Sequence, residues 1–399
     1  MSIETIAKTQ PSIDLSNNFS FKTTTNYPYR ITLIHPSAGI NWSGGTETFA
    51  IEIARRLSNY FEVELLSGAP CGSFSRPAGG ISRNQLYQFI QNPLIAPLLS
   101  RVATHPEILL ENLTNFFPCV LKLLHRPAEL IFPCNDYGGL VIGSFMRAIQ
   151  GTPVLYTEHA SLMADGLLLR RNLRFPADHL VVFSQEVANY VHQLKPTQPI
   201  SILPNGVDLE HFTPHGERLD LGLTGPIVLC VAFLKRDSHK RVELAIEAMA
   251  RLGKGSLLIC GDGADRDYFK ALGHKLLGPK RFAIRTFPHE QMPTIYRSVD
   301  AFTLPSLNEP FGLAYTEAMA SGLPVVATDD SMRRYIVADS GVLCDVTNAD
   351  IYAEALDQVL QGNWQQKARQ NAMRFGWEAI TLRYRDLILQ LIHNRNKGN

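Results

Sequence analysis

Neither sign of charge dominates this sequence. Its 399 residues carry 38 Lys and Arg against 37 Asp and Glu, a formal net charge of +1, so no sequence-wide field draws it to nucleic acid. Small molecules and glycans are the expected partners. Long apolar runs are also missing: nothing approaches the roughly 18 uninterrupted apolar residues of a spanning helix, and the first stretch, MSIETIAKTQPSIDLSNNFSFKTTTN, lacks the apolar core of a secretion signal. A cytoplasmic location is expected. The six cysteines, Cys71, Cys119, Cys134, Cys230, Cys260 and Cys344, form no Cys-x-x-Cys, which leaves reduced, buried thiols, with Cys230 and Cys260 in apolar strand-like runs. There is no His-Glu-x-x-His. Gly261-Asp262-Gly263 has Arg266 where a dinucleotide fingerprint needs its third glycine. Asp265-Arg266-Asp267 spells a metal-binding Asp-x-Asp but opens a helix, where acids are favoured anyway. No metal or cofactor is expected.

What is present is an alternation of strands and helices long enough for two ordinary domains, with an apolar fraction of 45% to fill their cores. Residues 1–27 read as a loose leader. Ile31–His35 is a strand, Gly39, Gly44 and Gly45 form a glycine loop, and Phe49, Ile53, Ala54 and Leu57 have helical spacing. Gly44-Gly45 at a helix start lets a ligand approach backbone N–H groups closely. A long excursion, about 67–127, carries the stripe Leu109, Leu113, Phe116, Val120, Leu124, which is expected to face a core. His159 follows a strand at 154–157, where open parallel sheets bind ligands. Pro204-Asn205-Gly206-Val207-Asp208 is a turn.

The chemistry concentrates in the second half. Lys235, Arg236, Lys240 and Arg241 put four cations in seven residues, either a solvated run or a holder of phosphate. The stretch Leu304–Asp329, LPSLNEPFGLAYTEAMASGLPVVATD, reads as a strand end, a loop, a helix from about Phe311 to Ala320 and a second strand. Glu309 and Glu317 bracket the turn, and the Phe311, Gly312 and Leu313 amides have no intrahelical acceptor, a setting that favours an anion.

Glu-x7-Glu with Pro-Phe-Gly-Leu between, the Glu-Ala-Met-Ala-Ser-Gly-Leu-Pro run after it, Gly44-Gly45-x-Glu47, His159, Asn-Gly-Val-Asp and Lys240 occur in one order that resembles the retaining glycosyltransferases of family 4. The resemblance spans about 30–392. It implies the GT-B fold, two Rossmann-like α/β domains facing a cleft: an acceptor-side domain over 28–212 that also takes the C-terminal helix 377–396, and a nucleotide-sugar domain over 213–376. It implies transfer of a sugar from a nucleotide-sugar donor to a glycan, lipid-linked or small-molecule acceptor. Glu317 would hold the ribose, Glu309 and His159 the sugar, and the Phe311–Leu313 amides with Lys240 the diphosphate; Gly44 and Gly45 would lie near the donor phosphates. The family's arginine is replaced by Phe233, and either Lys235 or Arg236 could stand in. Lipid-linked acceptors in the family imply a peripheral membrane contact through 84–127. A non-catalytic sugar-nucleotide or glycan-binding protein on the same fold is the alternative.

Overall fold

The computed structural model describes residues 29–40, 44–90, 92, 99, 105–135 and 137–398; the expected leader, 1–27, lies outside them. Its strands are Arg30–His35 (β1), Glu62–Ser67 (β2), Ser75–Pro77 (β3), Leu130–Pro133 (β4), Leu155–Thr157 (β5), His179–Val182 (β6), Ile200–Ile202 (β7), Ile227–Val231 (β8), Ser256–Cys260 (β9), Phe282–Arg285 (β10), Ala301–Leu304 (β11), Val325–Thr328 (β12) and Gly341–Cys344 (β13). The first half orders them β3-β2-β1-β4 and β5-β6-β7, joined by a bridge between Ile131 and Val154, and the second β10-β9-β8-β11-β12-β13. Every strand pairing among the described residues is parallel.

Parallel strands need long crossovers, and these cover both faces of a sheet, so their strands are apolar on both sides. β1 shows the consequence. Ile31 and Leu33 enter the core shared with helix Gly45–Leu57 and the C-terminal helix Trp377–Gly398, whereas Ile34 enters the one shared with helices Pro106–His125 and Tyr137–Gln150. Strand order reverses between β1 and β4 and again between β8 and β11. Loops leaving the C-terminal ends of such neighbours diverge to opposite faces and leave a crevice for a ligand.

The chain passes between the halves twice, side by side. Val207 N–H donates to Phe375 O at 2.8 Å and Trp377 N–H to Val207 O at 3.3 Å. Trp377 is buried against Gly206, where an added Cβ would stand 2.2 Å from the indole, so only glycine fits. Asp208 is fastened to the first half by Arg55 at 3.3 Å and Arg56 at 2.9 Å. The last helix then returns Trp377, Ile380, Tyr384 and Ile388 to the core around β1.

Three features depart from the sequence reading. The central helix is Leu313–Ala320 and not Phe311–Ala320, because Gly312 takes a left-handed conformation, φ +86°, as its cap. The apolar stripe of helix Pro106–His125 does not stay together: Val120 is buried but Leu113 and Leu124 are exposed. All six cysteines are free, yet Cys71 is only partly buried.

Candidate active site

The crevice at β8 and β11 is built by ties between the loops that leave them. After β8 the chain turns through Asp237 and Arg241, both at positive φ, and His239 O accepts Leu307 N–H at 2.7 Å. Arg241 donates Nε to Pro305 O at 2.8 Å and a terminal nitrogen to Thr328 Oγ1 at 3.0 Å. It is a tie between loops and is withdrawn from the crevice. These ties bring Lys240 Nζ to 2.5 Å from Glu309 Oε2, with His239 Nε2 at 3.7 Å. Burial alone would raise the Glu309 carboxyl, but the ammonium of Lys240, together with His239, holds it well below the usual carboxylate range. The carboxylate is therefore ionised at neutral pH.

Beside this pair, the Phe311, Gly312 and Leu313 amides have no acceptor among the described residues. Phe311 is buried against Phe183 at 5.6 Å and Phe375 at 5.8 Å, which fixes the turn that carries these amides. Further along the helix, Glu317 accepts Tyr296 Oη–H at 2.9 Å and lies 3.6 Å from His289 Nε2. Hydrogen bonding to Glu317 raises His289 from its ordinary value despite burial. Arg236 is turned away: its guanidinium lies 4.3 Å over the Tyr268 ring and its N–H is held by Asp265. Lys235 is exposed with no partner among the described residues.

The first half faces this site with its own helix start. An added Cβ on Gly45 would lie 3.9 Å from Leu313 Cδ1, so two helix N-termini, Gly45–Leu57 and Leu313–Ala320, converge. His159 packs on Phe49 at 4.9 Å and on Phe183 at 5.3 Å, the same Phe183 that touches Phe311. His159 Nε2 and both nitrogens of His35 are buried without a partner among the described residues. Burial lowers His159 to about 3, with His35 adding to it, and lowers His35 to about 4 against the pull of Glu47. The native state thus binds fewer protons than the unfolded chain up to the ordinary value near 6.5. Stability should fall as pH drops below about 6.5, by about 2 kcal/mol for each histidine at about pH 5. Thermal melts should show this loss, and His35→Gln/His159→Gln should flatten it; a double variant with the wild-type slope would contradict the assignment.

Residues 43–211 match the family described as Glycosyltransferase Family 4, and residues 217–375 the one described as Glycosyl transferases group 1. The chain is a group 1 glycosyltransferase. This glycosyltransferase is 28% identical to D-inositol 3-phosphate glycosyltransferase of Corynebacterium efficiens over 389 residues, 86% of this chain and 89% of that one. The Corynebacterium urealyticum protein of the same name is 32% identical over 204 residues, and the match spans about half its length. Sucrose-phosphate synthase from Thermosynechococcus elongatus superposes with a TM-score of 0.72 at 21% identity, covering 92% of this chain and all of that one. Anabaena HepE in complex with UDP and glucose gives 0.66 at 20%, covering 91% and 100%. The fold is GT-B, and the glycosyltransferase moves a sugar from a nucleotide-sugar to an acceptor. No finding favours a non-catalytic binder.

Sequence reasoning overlooked Arg333. This buried side chain donates to Glu309 O at 2.7 Å, pairs with Asp330, and so holds the loop that carries Glu309. Its one signal was a charge on the apolar side of a helix, Arg333 beside Met332, Ile336 and Val337, with Asp330 three residues before it. Tyr296, one partner of Glu317, had no signal, since only the fold brings helix Met292–Arg297 beside Leu313–Ala320.

Proposed function

We propose that this glycosyltransferase works with retention of configuration and without a metal, taking a nucleoside diphosphate sugar between the two converging helix starts. The observation that carries the reading is the Lys240–Glu309 pair, 2.5 Å apart, beside the free amides of Phe311, Gly312 and Leu313. The amides and Lys240 face the diphosphate, where negative charge grows as the glycosidic bond breaks. Glu309, acceptor-only when ionised, takes the sugar hydroxyls. Glu317 takes the ribose hydroxyls, oriented by Tyr296. His159, kept neutral by burial, offers one ring nitrogen to the sugar from the opposite half. Gly44 and Gly45 let the donor approach backbone.

In the proposed step the bond from the anomeric carbon to the diphosphate oxygen breaks while the acceptor oxygen bonds to the same face of that carbon. The acceptor's proton passes to the departing diphosphate oxygen. No protein nucleophile is required, which suits a site whose nearest carboxylate is already paired with Lys240. The solved complex of HepE with UDP and glucose makes UDP-sugars the first donors to test. A thermal-shift screen of UDP-, GDP- and ADP-sugars should reveal a stabilising donor, and the product should keep the donor's anomeric configuration by NMR; an inverted product would refute retention.

Two further results are expected. Glu317→Ala should weaken binding of the stabilising nucleotide about tenfold to a hundredfold, the scale of hydrogen bonds to a charged group, with the free protein still folded though its melting temperature falls by a few degrees as the buried Tyr296 hydroxyl loses its partner. Calorimetry showing wild-type affinity would remove Glu317 from the ribose. Transfer should also survive EDTA. Activity lost on chelation and restored by Mn²⁺ would bring Asp265 and Asp267 back as ligands.

A further inference from the structure

Both oxygens of Glu317 are engaged by the chain itself, one by a buried group and one by a group at the surface. Oε2 accepts the hydroxyl of Tyr296 at 2.9 Å, and Oε1 lies 3.6 Å from Nε2 of His289. Tyr296 is fully buried, and burial with the Glu317 charge beside it holds its proton well above the usual phenol range. It is a fixed donor, and it finds no water if the carboxylate turns away. His289 opens the short turn His289–Gln291 ahead of helix Met292–Arg297, with its side chain 44% exposed. Its ring meets Phe212 edge-on at 5.9 Å, and Phe212 packs on Tyr296 at 5.7 Å, so one buried ring backs both partners of the carboxylate. Of the two, the imidazole is the one that can leave Glu317 and be rehydrated at little cost. Because the Oε2 side is closed by a buried residue, a ligand hydroxyl has to reach Oε1, the oxygen beside His289.

The charges around His289 favour its imidazolium. Glu317 faces it from helix Leu313–Ala320, Glu290 follows it in the chain, and Glu52 faces it from helix Gly45–Leu57 of the first half. Glu52 is itself paired with Arg55 at 3.0 Å and with Arg56, which leaves Glu317 as the main holder of the ring. A ribose offers hydroxyls as donors to the same oxygen, so the sugar and the imidazolium compete for one acceptor.

We propose that His289 is a positioning residue of the donor site: as an imidazolium it holds Glu317 in place, and it gives up the carboxylate, together with its proton, when ribose hydroxyls take Oε1. This rests on the reading of Glu317 as the ribose contact. With Glu317 as its partner the ring is raised above its ordinary value near 6.5; with Glu317 turned to the ribose it falls back toward that value. Between the two values binding expels a proton, so donor affinity rises with pH there and levels off on either side.

The test is calorimetry of the full chain with UDP-glucose, GDP-mannose and ADP-glucose, whose diphosphates have no proton to lose between about pH 6 and about pH 8.5, in two buffers of different ionisation heat. His35 and His159, lowered to about 4 and about 3, do not titrate in that range. The nucleotide sugar that binds should bind about twofold to fivefold more tightly at about pH 8 than at about pH 6, the scale of a half-exposed ion pair, with proton release in between. His289→Asn should abolish the pH dependence and the release, and should bind more tightly than wild type at the acidic end. A histidine needed only for structure would weaken binding at every pH. In NMR titrations of the protein alone, Glu317→Gln should bring the His289 midpoint down toward its ordinary value. The inference is overturned by binding indifferent to pH, by proton uptake, which would put the imidazolium on the diphosphate, or by an unmoved midpoint in Glu317→Gln. A pH dependence that survives in His289→Asn also overturns it and passes the effect to His239, 3.7 Å from Glu309. Failure of all three nucleotide sugars to bind removes the donor reading and this inference with it, whereas pH-independent binding leaves the donor reading standing.

Discussion

Lys240→Ala is expected to lower kcat by about 100-fold or more, the scale on which one electrostatic donor acts, with a smaller rise in donor KM. In the free protein Lys240 is neutralised by Glu309 at 2.5 Å. A ground-state diphosphate shares that ammonium with a carboxylate already in place. As the glycosidic bond breaks, charge accumulates on the leaving oxygen and the sharing tilts toward it, so the interaction strengthens in the transition state and appears in kcat. The same measurement separates the neighbouring cations. Arg236 is stacked on Tyr268 and tied through its backbone to Asp265, so Arg236→Ala should change kcat little. Lys235→Ala should show a loss comparable to that of Lys240→Ala if Lys235 replaces the arginine missing at Phe233. Wild-type turnover by Lys240→Ala would return the cluster to a solvated helix start.

The second large effect is on folding. Arg333→Ala should destabilise the protein by about 2–3 kcal/mol, the scale of lost hydrogen bonds to a charged group, since the guanidinium is buried but its partner Asp330 is partly exposed. The guanidinium answers both Asp330 and the Glu309 carbonyl, so its loss also leaves a buried acceptor unpaired. Urea denaturation measures the loss. Arg333→Lys keeps the charge but not the fork, so it should recover part of the stability and less of the donor affinity. A variant as stable as wild type would show that the loop is held by Arg241 alone.

What could be read from the residues follows from how local each signal is. The strand, loop and helix around Glu309 and Glu317 were legible because one continuous stretch holds both carboxylates and the glycine between them. His159 was legible because it follows a strand. Lys240 was found, but its pairing with Glu309 was not, since the contact joins loops 69 residues apart. Arg241 was counted only as one of four clustered cations, because sequence shows its charge and not the left-handed backbone that turns it toward Pro305. The outward stripe of helix Pro106–His125 misled for a related reason. Periodicity says that apolar residues share a face, but the buried partners of Glu111 and Asn115 decide which face is inside.

The doubled passage between the halves bears on how the molecule can be divided. The final helix follows the second half in sequence but packs with the first: Tyr384 stacks on Phe132 at 5.6 Å and bonds Thr157 through its hydroxyl, and Trp377 lies 5.9 Å from Phe49. A fragment cut after β7 would expose Phe49 and Phe132 to water for want of that helix. The complementary fragment would carry a row of Ile380, Tyr384 and Ile388 with nothing to cover it. Neither fragment is a self-sufficient folding unit, and a proteolytic nick near 203–207 should leave the two pieces associated.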